Sequence, residues 1–212
     1  ANIKLKKKYF YESDPTLLTK RIEKITKYDR RKQNLADEIK RVEESDEFNK
    51  EKIIENLEKK DTLGKVNFDS VIISAFDETL KSITTSLIYT DVTPKKTYFI
   101  TLNQWFDESL LNEDSSQNLY FPSINKKNFD EFKKEYFEKY SSEPNQISLL
   151  GFDLVGLIFY LSKVNDFQLN NKVFDQKNTF KGKIGLFEIE DKRIKHVLNF
   201  YKVENSKFKK IF

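Results

Sequence analysis

Two short polar stretches contain the residues whose types and positions could bind a small ligand. Each stretch directly follows an apolar run, Val71–Ile73 in one case and Tyr98–Ile100 in the other. If both runs are parallel strands, the stretches lie at the carboxyl ends of the strands, where open α/β sheets bind ligands. Aromatic, amide and carboxylate groups would there provide stacking and hydrogen bonds. The predicted ligand-binding residues are Phe76, Asp77, Glu78, Asn103, Gln104 and Trp105.

Trp105 is the only tryptophan of the chain, and its type permits two interpretations. It could be a stacking wall in a cleft, or it could be an aromatic of the core or its rim. The residue type alone leaves both open.

The chain has no combination of residues that is typical of catalysis. The only histidine, His196, lies in the middle of a predicted hairpin, where a structural role is expected. None of the GxSxG, P-loop, GxGxxG and HExxH motifs occurs. Acidic residues are so common that carboxylate pairs arise by chance, and the absence of cysteine excludes thiolate metal sites. We therefore predict a protein that is not an enzyme and has no cofactor and no metal.

Composition limits the possible partners. Hydrophobic residues make up 38% of the 212 residues and charged residues 34%, but 19 Phe and 10 Tyr can fill a core. The net charge is +4 with the two signs interleaved, which argues against a nucleic-acid partner. We expect no apolar run to reach the length of a membrane span, and no signal peptide is recognisable. Because the sequence begins with Ala1, we expect a processed, truncated or engineered amino terminus.

Apolar runs that alternate with helical stripes predict an α/β fold, with a mostly parallel sheet and helices on both faces. Strands are expected near 3–10, 70–74 and 97–102, and the runs at 71–73 and 98–100 are typical of strands buried on both faces. A short strand at 119–121 is expected to stop at Pro122, and Asp14 with Pro15 predicts a helix start. The stretch Thr101–Trp105 is also predicted to lead into a helix.

Residues 29–60 carry a narrow apolar stripe with many charged residues, which predicts a largely exposed helical insertion. It could be a solvated hairpin or an arm that binds a partner. Two further helices are predicted near 129–140 and 147–161. After Gly182 the period becomes two, which predicts an antiparallel hairpin of 184–189 with 194–203, a turn at 190–192 and a last strand at 207–212.

The order of these segments resembles type I periplasmic ligand-binding proteins of the branched-chain amino-acid receptor class. The resemblance is carried by VNFDSVIIS, SLIYTDV, YFITLNQWFDESLL and LYFPS, and later by FKKEYFEKYSSEPNQISLLGFDLVGLIFYL. Gly151-Phe152-Asp153-Leu154 is similar to the family's Gly-Tyr-Asp-Ala helix, and Phe180, Gly182 and Gly185 match its Phe-x-Gly-x-x-Gly hairpin. The helical insertion before DTLGKVNFDSVII is similar to the penicillin-binding-protein activator branch.

The resemblance covers nearly the whole chain but only the later part of the family pattern. It implies second-lobe α/β material at 1–124 with the insertion at about 29–60, helices belonging to or facing the first lobe at 125–180, and closing second-lobe strands at 181–212. It also implies an exported, periplasmic protein without catalytic activity.

Two functions from different classes follow from the resemblance. The first is regulation of peptidoglycan synthesis by contact with a penicillin-binding protein. The alternative is a solute-binding receptor of an amino-acid-type ABC transporter, with a membrane subunit as partner and a small amino-acid-like ligand. The unusual helical insertion favours the regulator.

Overall fold

A computed structural model describes residues 5–12, 14–168, 178–183, 185–190 and 193–212. Its α-helices are α1 (Pro15–Thr26), α2 (Tyr28–Glu43), α3 (Lys50–Glu58), α4 (Asp77–Tyr89), α5 (Lys126–Tyr140) and α6 (Gln146–Val164). Its strands are β1 (Ser70–Ile73), β2 (Tyr98–Thr101), β3 (Leu119–Ser123), β4 (Asn178–Lys181), β5 (Leu186–Glu190), β6 (Arg193–Val197), β7 (Asn199–Glu204) and β8 (Lys207–Lys210). Two short 3₁₀ segments, Glu108–Asn112 and Asp114–Ser116, precede β3.

The predicted parallel sheet is present. A five-stranded sheet has the order β1-β2-β3-β7-β8, and a three-stranded sheet has the order β4-β5-β6. β1 pairs with β2 in parallel from Ser70↔Tyr98 to Ile73↔Thr101, and β2 pairs with β3 in parallel. Neighbouring parallel strands need a crossover connection, and α4 provides it between β1 and β2. The fold class is therefore α/β with a mixed, mostly parallel sheet and a carboxy-terminal antiparallel sheet.

The first predicted strand is wrong over its described part. Residues 5–10 have no regular secondary structure, and 3–4 lie outside the described residues. Side chains hold this segment instead of a backbone ladder, since Tyr11 Oη donates to Ser74 O at 2.8 Å and Lys6 Nζ donates to Asn67 O. Phe10, one of the aromatic residues that indicated a strand, is 75% exposed.

Burial in β1 and β2 alternates, so the prediction that their apolar runs are buried on both faces is wrong. Ile73 and Phe99 are buried, whereas Ile72 is 61% exposed and Tyr98 is 59% exposed. The prediction that Pro122 stops β3 is also wrong, because the strand continues to Ser123.

The chain divides into two compact units. The first consists of Ala1–Leu102, Glu108–Tyr120 and Val203–Lys207, and the second of Asn103–Asp107, Phe121–Lys202 and Phe208–Phe212.

The first unit places α1 and α4 together. Helix α1 begins as predicted, because the Asp14 carboxylate accepts hydrogen bonds from the backbone N–H groups of Thr16 and Leu17, and Pro15 follows. Leu18 and Ile22 of α1 are buried, as are Leu80, Ile83 and Leu87 of α4. Thr19 Oγ1 and Ser86 Oγ lie 2.9 Å apart and link the two helices.

The region 29–60 is helical as predicted, as α2 and α3. It contains a small core of its own in which Leu35, Val42 and Leu57 are buried. The partly buried residues that pack against this cluster are Ile39, Ile53, Ile54 and Leu63. The narrow stripe therefore joins the two helices of the insertion to each other.

The second unit contains an aromatic cluster around Phe106, which is 4% exposed. Its ring centroid lies 4.9 Å from that of Tyr201 and 5.5 Å from those of Phe129 and Phe208. Helices α5 and α6 and the strand β8 lie where the sequence predicted them.

The predicted carboxy-terminal hairpin is only partly correct. β5 and β6 are antiparallel, but the second arm is divided, because β7 belongs to the five-stranded sheet. Ile184 and the predicted turn residues 191–192 lie outside the described residues.

Candidate ligand-binding site

The part of the candidate site that follows β1 lies at the start of α4, as predicted. Phe76 is extended, with φ −134° and ψ 167°, and is 47% exposed. Asp77 and Glu78 occupy the first turn, where carboxylates interact favourably with the helix dipole. Glu78 accepts a hydrogen bond from Lys81 Nζ at 2.9 Å, and its side chain is 86% exposed. This half of the site can present acceptors to a cationic or hydrogen-bond-donating group.

The part that follows β2 is a turn, so the predicted helix start is wrong. Asn103 Oδ1 accepts hydrogen bonds from Trp105 N at 3.0 Å and from Ser123 Oγ at 2.8 Å. Trp105 and Phe106 both have positive φ, 50° and 58°, which an α-helix does not allow. The amide of Asn103 stabilises the turn, and insertion of Phe106 among the aromatic rings sets its direction.

The strands that precede the two polar stretches, β1 and β2, end at the same edge of the sheet. Ile73 and Thr101, the last residues of β1 and β2, are register partners, and Thr101 Oγ1 donates to Ile73 O at 2.9 Å. The side chains of Phe76, Asp77 and Glu78 belong to the first unit, and those of Asn103, Gln104 and Trp105 to the second. Gln104 is buried at 4% exposure, and Trp105 is half-buried. Ligand binding by these six residues stays a prediction.

Residues of the two family-like motifs meet in the second unit, a contact that the sequence reasoning missed. The buried Asp153 of α6 accepts a hydrogen bond from Lys183 N at 2.7 Å. A Cβ at position 182 would lie 2.5 Å from Asp153 Cγ and 2.8 Å from Oδ1, so any other residue there requires the Asp153 side chain to shift. Lys183 Nζ also pairs with Glu135 of α5 at 2.7 Å. The Asp153 carboxylate therefore fixes the turn after β4 to α6.

His196 has the surroundings of a structural residue. Its ring stacks on Phe187 with centroids 4.3 Å apart, and a Cβ at position 185 would lie 2.6 Å from its Nε2. Nε2 is buried without a hydrogen-bond partner among the described residues. Burial lowers the pKa of His196, and the charge of Asp153 opposes this. No cluster of three or more potential metal ligands occurs in the described part of the chain.

Helix α6 corrects the expectation that no apolar run reaches the length of a membrane span. Its stretch Ile147–Val164 is long and apolar enough to cross a membrane by length and composition, and 22% of it is buried. The core helix of a soluble protein can pass the same test. Buried Leu157 and Leu161 pack with Ile189 and Phe180 in the second unit. Ile147, Val155 and Phe159 of the same helix are 79%, 68% and 61% exposed.

No protein family and no curated protein matches the sequence. Solved structures do match. The leucine-binding protein LivK from Thermotoga maritima is similar with a TM-score of 0.50 and 15% identity, over 80% of this chain and 49% of that chain. This chain has the fold of part of a type I periplasmic binding protein. The sequence resemblance implied the same fold.

LpoA from Haemophilus influenzae is also among the structural neighbours. Its C-domain, described as a regulator of PBP1A, has a TM-score of 0.38 and 9% identity over 75% of this chain and 54% of that chain. A monoclinic form of LpoA has a TM-score of 0.41 and 10% identity over 75% of this chain and 32% of that chain. This chain spans about half the length of LivK and of the LpoA C-domain. At 15% identity the likeness to LivK describes the fold alone, and the choice between solute binding and regulation stays open.

Proposed function

We propose that this chain is a non-catalytic part of an exported, periplasmic protein that regulates peptidoglycan synthesis by contacting a penicillin-binding protein. The proposal rests on the helical insertion, which the sequence shares in outline with the activator branch and which a plain solute receptor does not need. The observation that carries it is the exposed end of this insertion.

The connection between α2 and α3 presents one bulky aromatic side chain to solvent. Phe48 lies in this connection and is 99% exposed, the highest exposed fraction among the large hydrophobic residues described. Arg41 of α2 pairs with Glu47 of the connection at 3.3 Å and with Glu38 of the same helix at 2.8 Å. The small core of the insertion supports it from below. An aromatic side chain on an ordered support is typical of the residues that dominate binding energy in protein interfaces.

The domain boundaries from the sequence are part of the proposal. We assign 1–124 and 181–212 to a second lobe and the helices of 125–180 to a surface that faces a first lobe. The exposed apolar side chains of α6 support this assignment, because soluble proteins rarely leave such a helix face uncovered.

The test is the affinity of this chain for the extracytoplasmic part of a penicillin-binding protein from the same bacterium. Phe48→Ser should raise the dissociation constant by roughly thirtyfold, the effect of losing an interface residue worth about 2 kcal/mol. Phe137→Ser on α5 is the matched control, since Phe137 is also exposed, at 52%, and lies outside the insertion. Equal affinities of the wild type and Phe48→Ser, or no binding by the wild type, would contradict the proposal.

The alternative is a solute receptor for an amino-acid-type ABC transporter, and the fold likeness to LivK favours it. In that case Trp105, Asn103 and the carboxylates after β1 bind the ligand. The regulator proposal predicts no tight amino-acid binding, which calorimetry with a panel of amino acids measures. Micromolar binding that is lost in Trp105→Ala would favour the receptor.

A further inference from the structure

A pocket in the first unit is lined by none of the predicted ligand-binding residues. It has a volume of about 340 Å³ and is formed by the end of α1, the start of α2 and the segment that leads to β1. Its lining residues are Ile25, Thr26, Lys27, Arg30, Arg31, Asn34, Gly64, Lys65, Val66 and Asn67. This volume is in the range of pockets that hold small molecules.

Positive charge dominates the pocket. Lys27, Arg30, Arg31 and Lys65 line it, whereas no carboxylate is among its described lining residues. Lys27, Arg30 and Lys65 are exposed, and within the described ranges no carboxylate lies at ion-pair distance from them. A fifth cation is close, because Lys6 Nζ donates to the backbone oxygen of the lining residue Asn67. Unpaired cations that share a concave surface attract anions.

Arg31 gives the pocket a fixed wall. It is 5% exposed, and its Nε donates to Thr26 O and its Nη1 to Thr62 Oγ1, both at 3.0 Å. Its Nη2 donates to Thr90 O, so one guanidinium joins the end of α1 to the segments before β1 and after α4. Burial lowers the pKa of Arg31 and Asp91 opposes this, but an arginine stays protonated at neutral pH. Arg31 Nη1 also lies 3.9 Å from Asp91 Oδ2, so this carboxylate offsets the charge of Arg31. The wall of the pocket is therefore ordered before any ligand arrives, and the excess positive charge comes from Lys27, Arg30 and Lys65.

The backbone adds to the attraction for an anion. Lys27 adopts a left-handed conformation with φ 54° between α1 and α2, and no side chain caps the start of α2. The 16-residue helix α2 therefore starts at the pocket with the positive end of its dipole, which the Asp29 carboxylate in its first turn partly offsets. On the opposite side Gly64 has φ 107°, which favours glycine and shapes the segment that carries Lys65.

We propose that this pocket binds a phosphate-bearing anion. Phosphate offers several acceptor oxygens and up to two negative charges. These match the guanidinium fork of Arg30 and the ammonium groups of Lys27 and Lys65. An acidic peptide would carry its charges on separate side chains, and a pocket of about 340 Å³ is too small to enclose several of them. The inference is independent of the proposed contact with a penicillin-binding protein.

Calorimetric titration with inorganic pyrophosphate at low ionic strength tests the proposal. The wild type should bind at one site, and Arg30→Gln with Lys65→Gln should weaken binding by about tenfold or more. Lys20→Gln with Lys52→Gln is the control, since it removes the same charge from exposed positions of the same unit that do not line the pocket. Thermal melting checks that both double variants are folded.

Each outcome decides the matter. Loss of binding in the pocket variant with binding retained in the control supports the proposal. No binding by the wild type, or equal weakening in both variants, overturns it, because the attraction would then be absent or due to net charge. Sedimentation with phosphatidylglycerol vesicles distinguishes a lipid headgroup from a free phosphate compound as the ligand. If the pocket binds a headgroup, the wild type sediments with the vesicles and the pocket variant does not.

Discussion

The contact between Asp153 and Gly182 gives a sharp prediction about stability. In Gly182→Ala the added Cβ would lie 2.5 Å from Asp153 Cγ and 2.8 Å from Oδ1, so the carboxylate must move. Movement weakens the 2.7 Å hydrogen bond from Lys183 N. A charged hydrogen bond contributes about 1.5–3 kcal/mol, and overpacking costs about 1–3 kcal/mol. The loss of the hydrogen bond and the overpacking arise from the same movement of the carboxylate, so their costs are not additive. We expect a loss of about 2–3 kcal/mol in the free energy of unfolding.

Urea unfolding followed by circular dichroism measures this loss. Gly151→Ala is the control, because nothing lies within 4 Å of a Cβ at that position in α6. It should be neutral or stabilise the protein by up to about 1 kcal/mol, since alanine favours a helix more than glycine does.

A double-mutant cycle identifies the cause. Asp153→Ala removes both the clashing carboxylate and the hydrogen bond, so Gly182→Ala should cost at least about 1 kcal/mol less in that background. The reasoning is refuted if Gly182→Ala costs less than about 0.5 kcal/mol, or if its cost is the same with Asp153 and with Ala at position 153.

Two other predictions follow from the structure. Deletion of 33–58 with a short linker should leave a domain that unfolds cooperatively in urea, because the cluster of Leu35, Val42 and Leu57 belongs to the insertion. Loss of the cooperative transition would show that the insertion is needed to stabilise the remaining residues of the domain. Burial lowers the pKa of His196, so the unfolded state binds more protons than the folded state and stability should fall as the pH drops below about 6.5. His196→Gln should lose less stability than the wild type between about pH 7 and pH 5, and an identical loss in both proteins would contradict the assignment.

Local patterns were sufficient to predict much of the fold. Apolar runs at 71–73 and 98–100 on either side of a helical stripe predicted β1, α4 and β2, and Asp14 with Pro15 predicted the start of α1. These features depend on neighbouring residues, so a sequence window contains the necessary information.

Features that depend on distant residues could not be predicted in this way. Tyr9-Phe10-Tyr11 has the composition of a strand, but a strand also needs a backbone partner, and this segment is held by Tyr11 and Lys6 side chains. The turn at Trp105 depends on rings such as Phe208, which lie far away in the sequence.

The same limit applies to the sites. Asp153 and Gly182 were noted as parts of separate motifs, and only the folded chain brings them into contact. Lys27 and Arg30 lie far from Lys65 in the sequence, and the pocket that brings them together forms from two separate stretches, 25–34 and 64–67.

We propose that this chain acts by contact with a penicillin-binding protein, and the most direct test is the rate of glycan polymerisation by such a protein from the same bacterium. Saturating wild-type chain should change the rate, and Phe48→Ser should have a clearly smaller effect at the same concentration. An unchanged rate at saturating wild-type chain, or an equal effect of Phe48→Ser, would contradict the account.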